Sequence, residues 1–127
     1  MKTVFTKAYF FIVGCLFIYF TVVQFNDSDA LLWILIYGLI ALTGFINLLS
    51  IDLSKWNLIL LIAITILFLF HIPILIDWIN AGQPAFIDYE PTDIVEAEKM
   101  REFFGLFISL FSISTIYWIK KKSVKNA

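Results

Sequence analysis

Four stretches of this chain carry no charged residue: 8–26, 30–51, 56–76 and 103–118. At about 1.5 Å per residue, each of the first three is long enough for a helix to cross a hydrocarbon core of about 30 Å. The fourth crosses it if Arg101 and Lys120 turn their charged heads out to the two interfaces. A bilayer offers no water to an open backbone, so these stretches must be helical. Composition agrees, with 61% hydrophobic residues, 15% charged and a mean hydropathy of +0.93. A soluble domain has about 45–50% apolar and about 25% charged residues. The expected fold is therefore all-α: an integral membrane four-helix bundle in a plasma or bacterial inner membrane. Its spans are expected at about 5–25, 30–50, 56–79 and 101–119, with an outer loop at 80–100 and a cytoplasmic tail at 120–127, all in one domain. The first span is long and lacks a small-x-small site before Asn26, so it is expected to be retained rather than cleaved as a signal.

The net charge of −1 conceals an uneven distribution. Folded four times across a membrane, the chain places Lys2, Lys7, Lys55, Lys120, Lys121, Lys122 and Lys125 on one side and only Lys99 and Arg101 on the other. The positive-inside rule then puts both termini in the cytoplasm. All the acids except Asp52 fall on the outer side, which can attract cations or basic partner loops. Nucleic acid is not an expected partner; the lipid bilayer is, together with another membrane protein or a second copy of the chain. The single cysteine, Cys15, lies in mid-span, so an intramolecular disulfide and a CxxC site are excluded and a packing role is expected.

Helical spacing aligns Gly14, Phe17, Thr21 and Gln24 on one face of the first helix, expected from Phe5 to about Gln24. On the second helix, expected from Ala30 to Leu49, it aligns Trp33, Tyr37, Ile40, Gly44 and Asn47. An unpaired amide is costly in hydrocarbon, so Asn47 should find a partner across the bundle. Ser54 is expected to cap the third helix, with Trp56 as an interfacial anchor. Pro73 should kink or loosen that helix beside His71. Thr92 or Asp93 can cap a fourth helix that starts in water and enters the membrane with Gly105, Ser109 and Ser112 on its packing face. Past Lys122 the tail is expected to be disordered.

Two polar constellations stand out. Gln24, Asn26, Asp27 and Asp29 crowd the turn between the first two spans. One capping carboxylate would serve the second helix, and a second acid with two amides exceeds that need. The group is a partial oxygen-ligand set without the glycine spacing of a calcium loop, so no metal ligand is assigned. In "EAEKMREFFG", Glu98 and Glu102 share a helical face with Arg101 beside both. Charges at the hydrocarbon edge usually face the bundle or a water-filled cavity. The topology puts this block level with Asp27 and Asp29, where Arg101 can bridge to either. His71, the only histidine, is expected in the outer leaflet near Tyr37 and Gln24, where a polar cluster opening to the outer face would be a pocket floor. No nucleophile–base–acid order, Walker loop, HExxH or glycine-rich phosphate cradle is present, and the sequence names no cofactor.

The "VQFNDSDALLWILIY" stretch and the "EAEKMREFFGLFI" block resemble the transmembrane protein 220 family of small polytopic proteins. The first family block reads Q-x-N-D-P-D followed by W and Y. Gln24, Asn26, Asp27, Asp29, Trp33 and Tyr37 match it, while Ser28 replaces the proline and relaxes the turn. The second is an acidic run leading to R-E and a glycine, matched by Glu96, Glu98, Arg101, Glu102 and Gly105. Between the blocks the likeness is one of hydropathy. The resemblance implies architecture and candidate residues but no chemistry, because the family has no established activity.

Two functions fit these residues. The leading one is a non-catalytic binding or assembly subunit whose acidic outer site, built from Asn26, Asp27, Asp29, Glu98, Arg101 and Glu102 with Gln24, Trp33 and Tyr37 beneath, engages a partner, a lipid headgroup or a cation. The alternative is a membrane-embedded enzyme or metal/ion handler using the carboxylates and His71. That chemistry needs His71 open to water within reach of a carboxylate; a scaffold needs only sealed helix contacts.

Overall fold

In the computed structural model the backbone is described for residues 2–26, 30–49, 51–80 and 94–125, and side chains for 4–25, 30–49, 51–80 and 99–122. Four α-helices make up this part: α1 (Lys2–Val23), α2 (Ala30–Ile46), α3 (Ser54–Asn80) and α4 (Ile94–Lys125), with a short 3-10 turn, Gln24–Asn26, closing α1. Consecutive helices pair as two hairpins, α1 with α2 and α3 with α4, joined mainly through α4.

Side-chain contacts fix the directions. Phe17 meets Tyr37 and Phe11 meets Phe45, so α1 and α2 are antiparallel. Trp33 meets His71 and Asn47 meets Asn57, so α3 is antiparallel to α2. Tyr37 lies against Gly105, and Lys120 reaches the Leu49 carbonyl, so α2 and α4 run the same way. The result is an up-down-up-down bundle. At one end lie the α1–α2 connection and the start of α4; at the other lie the starts of α1 and α3 and the end of α4.

The surface of this bundle is as apolar as its interior. Phe5, Phe11, Leu31, Leu35, Ile59, Ile66, Leu69, Phe70 and Phe111 are all exposed. In water such a surface would aggregate; in a bilayer it is the lipid-facing side. Val4–Val23, Ser54–Asn80 and Lys99–Lys122 are long and apolar enough to cross a membrane, and Ala30–Ile46 is a shorter apolar helix. Five of the hydroxyls that enter this environment are satisfied locally: Thr21, Thr43, Thr65, Ser109 and Thr115 each donate to the carbonyl four residues earlier at 2.6–2.7 Å.

With lipid outside, packing rather than water exclusion brings the helices together, and small residues decide where backbones can approach. A Cβ on Gly44 would lie 2.8 Å from the Gly14 nitrogen and 2.9 Å from the Phe10 oxygen, so α1 and α2 touch backbone to backbone there. Ser109 and Ser112 are buried, as the spacing predicts. So is the whole stripe Trp33, Tyr37, Ile40, Gly44 and Asn47.

Several boundaries differ from expectation. α2 stops at Ile46 rather than Leu49, because the Leu48 and Leu49 amides bond three residues back, to Phe45 and Ile46, at 3.1 Å each and tighten the last turn. Ser54 is not the cap of α3 but lies in its first turn: the first helical bond runs from the Asn57 amide to Leu53, 2.8 Å, and the Asp52 carboxylate receives Ser54. α3, in contrast, ends at Asn80 within a residue of the expected span and carries Pro73 inside it. α4 continues to Lys125, where disorder was expected, since no glycine or proline stops it and lysines suit a helix C-terminus. Capping by Asp27, Ser28 or Asp29 and by Thr92 or Asp93, and most of the outer loop, lie outside the described residues.

Candidate functional site

Tyr37 occupies the place where the two motif blocks meet. Its ring stands 5.9 Å from Phe17 and 5.6 Å from Phe20 of α1, and 5.7 Å from Trp33 one turn away on α2. Its hydroxyl is packed against Gly105 of α4, in the space a Cβ there would take. The Trp33 indole in turn meets the His71 imidazole edge-on at 5.9 Å, which brings in α3. An aromatic layer from three helices, closed by a glycine of the fourth, thus fills the half of the bundle nearer the α1–α2 connection; Trp33 and Tyr37 are buried. The predicted pocket floor of His71, Tyr37 and Gln24 takes a different form. Trp33 stands between His71 and Tyr37, and His71 Nδ1 bonds the Leu67 carbonyl of its own helix at 2.8 Å.

The remaining candidates are described only in part. Gln24 is half-buried in the 3-10 turn, which also contains Asn26. Arg101 is exposed and Glu102 half-buried in α4, and Glu98 belongs to the same helix. Asp27 and Asp29, and the side chains of Asn26 and Glu98, lie outside the described residues, as does any bridge between Arg101 and the first loop. Among the described residues no three His, Cys, Asp or Glu side chains form a metal-holding group.

A second polar cluster closes the opposite end. Asn47 and Asn57, 2% and 0% exposed, exchange two amide hydrogen bonds of 3.0 Å, and the Asn47 amide also donates to the Thr43 carbonyl at 2.7 Å. The Trp56 indole N–H donates to the Thr43 hydroxyl at 2.9 Å. The expected partner for Asn47 is therefore real, and it is Asn57, which the spacing rules did not single out. The signal was an amide just inside an apolar run, one α2–α3 turn away from Asn47.

Beside this cluster the exposed Asp52 carboxylate accepts the Ser54 hydroxyl at 2.6 Å and the Ser54 amide at 3.0 Å. Those bonds, with Lys55 and Lys120 nearby, hold its pKa below the ordinary 3.8. The Lys120 ammonium donates to the Leu49 carbonyl at 3.2 Å and lies 5.9 Å from the Phe10 ring centre, tying the end of α4 to α1 and to the end of α2.

Neither a curated protein nor a solved structure matches the chain. A family model does: residues 16–118, from the middle of α1 to the end of the apolar part of α4, match "Transmembrane family 220, helix". This match contains both motif blocks and the Tyr37–Gly105 contact that joins them, and the chain belongs to that family.

Proposed function

We propose that this membrane protein crosses the bilayer four times with both termini in the cytoplasm, and that it is a non-catalytic binding or assembly subunit. Its polar outer end engages a partner protein, or a second copy of the chain, within the membrane. The 17 residues of α2 rise about 25 Å, close to a full crossing once the tightened turn to Leu49 is added. Seven lysines at one end against Lys99 and Arg101 at the other favour the orientation.

One observation carries the reading: the register set by Tyr37 and Gly105. Because α2 and α4 run in the same direction, Arg101 is level with Trp33, about 6 Å outward of that contact, and Glu98 is level with Ala30. Asp27 and Asp29 immediately precede Ala30 in the chain. Glu98, Arg101 and Glu102 also share the helical face of Gly105. The polar residues of both blocks are thereby drawn to one end, above an aromatic layer that is packed rather than open. His71, the residue an ion-handling mechanism would need, is engaged by Leu67 and Trp33.

The test is to cross-link the full chain in its native membrane, purify it in mild detergent and identify cross-linked membrane proteins by mass spectrometry, with elemental analysis on the same sample. The expected result is a defined complex that Asp27→Asn combined with Asp29→Asn, or Glu102→Gln, abolishes while each variant still folds and unfolds cooperatively in detergent. Stoichiometric metal lost in those variants would overturn the reading in favour of an ion handler, and a chain with neither partner nor metal would also overturn it.

A further inference from the structure

The end of the bundle opposite the candidate site carries a concentrated charge that the proposed function does not use. Lys7, Lys55, Lys120, Lys121 and Lys122 gather there against one described carboxylate, Asp52. The single charge of Asp52 acts on Lys55 and Lys120 and leaves this end net positive.

The three consecutive lysines of α4 have different surroundings. Lys120 is half-buried and turned inward onto the Leu49 carbonyl and the Phe10 face. Lys121 and Lys122 are exposed. Lys121 lies 5.5 Å from the Tyr117 ring centre and 5.3 Å from that of Trp118, and Trp118 is itself 62% exposed on the lipid side. An exposed indole prefers the headgroup level of a bilayer, where its apolar body and polar edge are both satisfied. That preference puts Lys121 and Lys122 at the depth of the lipid phosphates.

We propose that this end is a binding surface for anionic phospholipid headgroups, in which Lys121 and Lys122 hold the phosphate and Lys120 acts as a structural tie rather than a ligand. The ammonium groups are compact donors suited to phosphate oxygens, and the net negative charge of the lipid distinguishes it from a zwitterionic one, whose own cation competes with the lysines. Basic residues at an anionic membrane surface contribute about fivefold each to binding, so losing two should weaken it about 25-fold.

Native mass spectrometry of the full chain in detergent, titrated with phosphatidylglycerol against phosphatidylcholine, tests this directly. The wild type should retain phosphatidylglycerol preferentially. Lys121→Gln with Lys122→Gln should lose most of that preference, Lys121→Arg with Lys122→Arg should keep much of it, and Lys99→Gln at the other end should leave it unchanged. Should the double glutamine variant fail to fold, Lys122→Gln alone should show about a fivefold loss. Equal retention of the two lipids, loss of preference in Lys99→Gln, or no change in the glutamine variants would overturn the proposal. Displacement of the lipid by millimolar inorganic phosphate would overturn it too, by assigning the site to soluble phosphate.

Discussion

The hydroxyl of Tyr37 fills the space beside Gly105 that any side chain at that position would claim. One residue belongs to the motif that follows the first span and the other to the motif that begins the last, so this contact joins two segments far apart in the chain. It also requires a glycine for a packing reason, since the neighbour is a rigid phenol held by Phe17, Phe20 and Trp33.

Gly105→Ala should therefore destabilise the bundle by about 1–3 kcal/mol through overpacking, and Gly105→Leu by more. Removing the hydroxyl with Tyr37→Phe should recover part of the loss in Gly105→Ala, though the ring carbon that carried it remains 3.0 Å from the new Cβ. Thermal unfolding in detergent reads both effects. A Gly105→Leu protein as stable as the parent would show that this face of α4 looks at lipid.

The Asn47–Asn57 pair makes a prediction with the opposite logic. Each amide is buried and satisfied by the other, so Asn47→Leu or Asn57→Leu alone strands a polar group and should cost about 1–3 kcal/mol. The double leucine variant strands neither and should be less destabilised than the sum of the two. Additive losses in a double-mutant cycle would show that the reciprocal bonds contribute little.

Asp52 gives a pH dependence whose sign is fixed by its lowered pKa. A carboxylate held below its unfolded value stabilises the folded state above that value, and the contribution is lost as pH falls through the folded pKa. The start of α3 should therefore loosen only below about pH 4. Amide protection at Lys55 to Asn57, corrected for the intrinsic pH dependence of exchange, should fall there in the wild type but change little with pH in Asp52→Asn, whose amide oxygen can still accept from Ser54. Equal acid sensitivity in the two proteins would remove Asp52 as the cause.

What could be read from the sequence follows the range of each physical rule. The 3.6-residue period placed Trp33, Tyr37, Ile40, Gly44 and Asn47 on one face, and all five are buried, because burial of a stripe is a property of one helix. The need to satisfy an amide in hydrocarbon foretold that Asn47 would be paired; which group would pair with it depended on how α2 turns into α3. The contact of His71 with Trp33 lies between hairpins, and a period within α3 carries no information about it. For the site, Tyr37 and Gly105 were both marked as motif residues, yet their meeting could not be read from either motif alone. Serine is a common cap, but at the start of α3 the carboxylate two residues before Ser54 takes that role.

The last prediction concerns Arg101, the only arginine in the chain. The Tyr37–Gly105 register puts it one turn from the contact, on the same helical face and level with Trp33 near the start of α2. Its planar fork can hold a carboxylate through two hydrogen bonds, an arrangement lysine reproduces poorly. A pair between Arg101 and Asp27 or Asp29 at the hydrocarbon edge should couple by more than the ~0–1 kcal/mol of an exposed bridge, since losing one partner strands the other away from bulk water. Double-mutant cycles of Arg101→Ala with Asp27→Asn and with Asp29→Asn measure this in unfolding experiments, and Arg101→Lys should recover less than half of the coupling. Near-zero coupling with both aspartates would leave the first loop and α4 as independent polar caps, and would remove the composite outer site on which the binding-subunit reading depends.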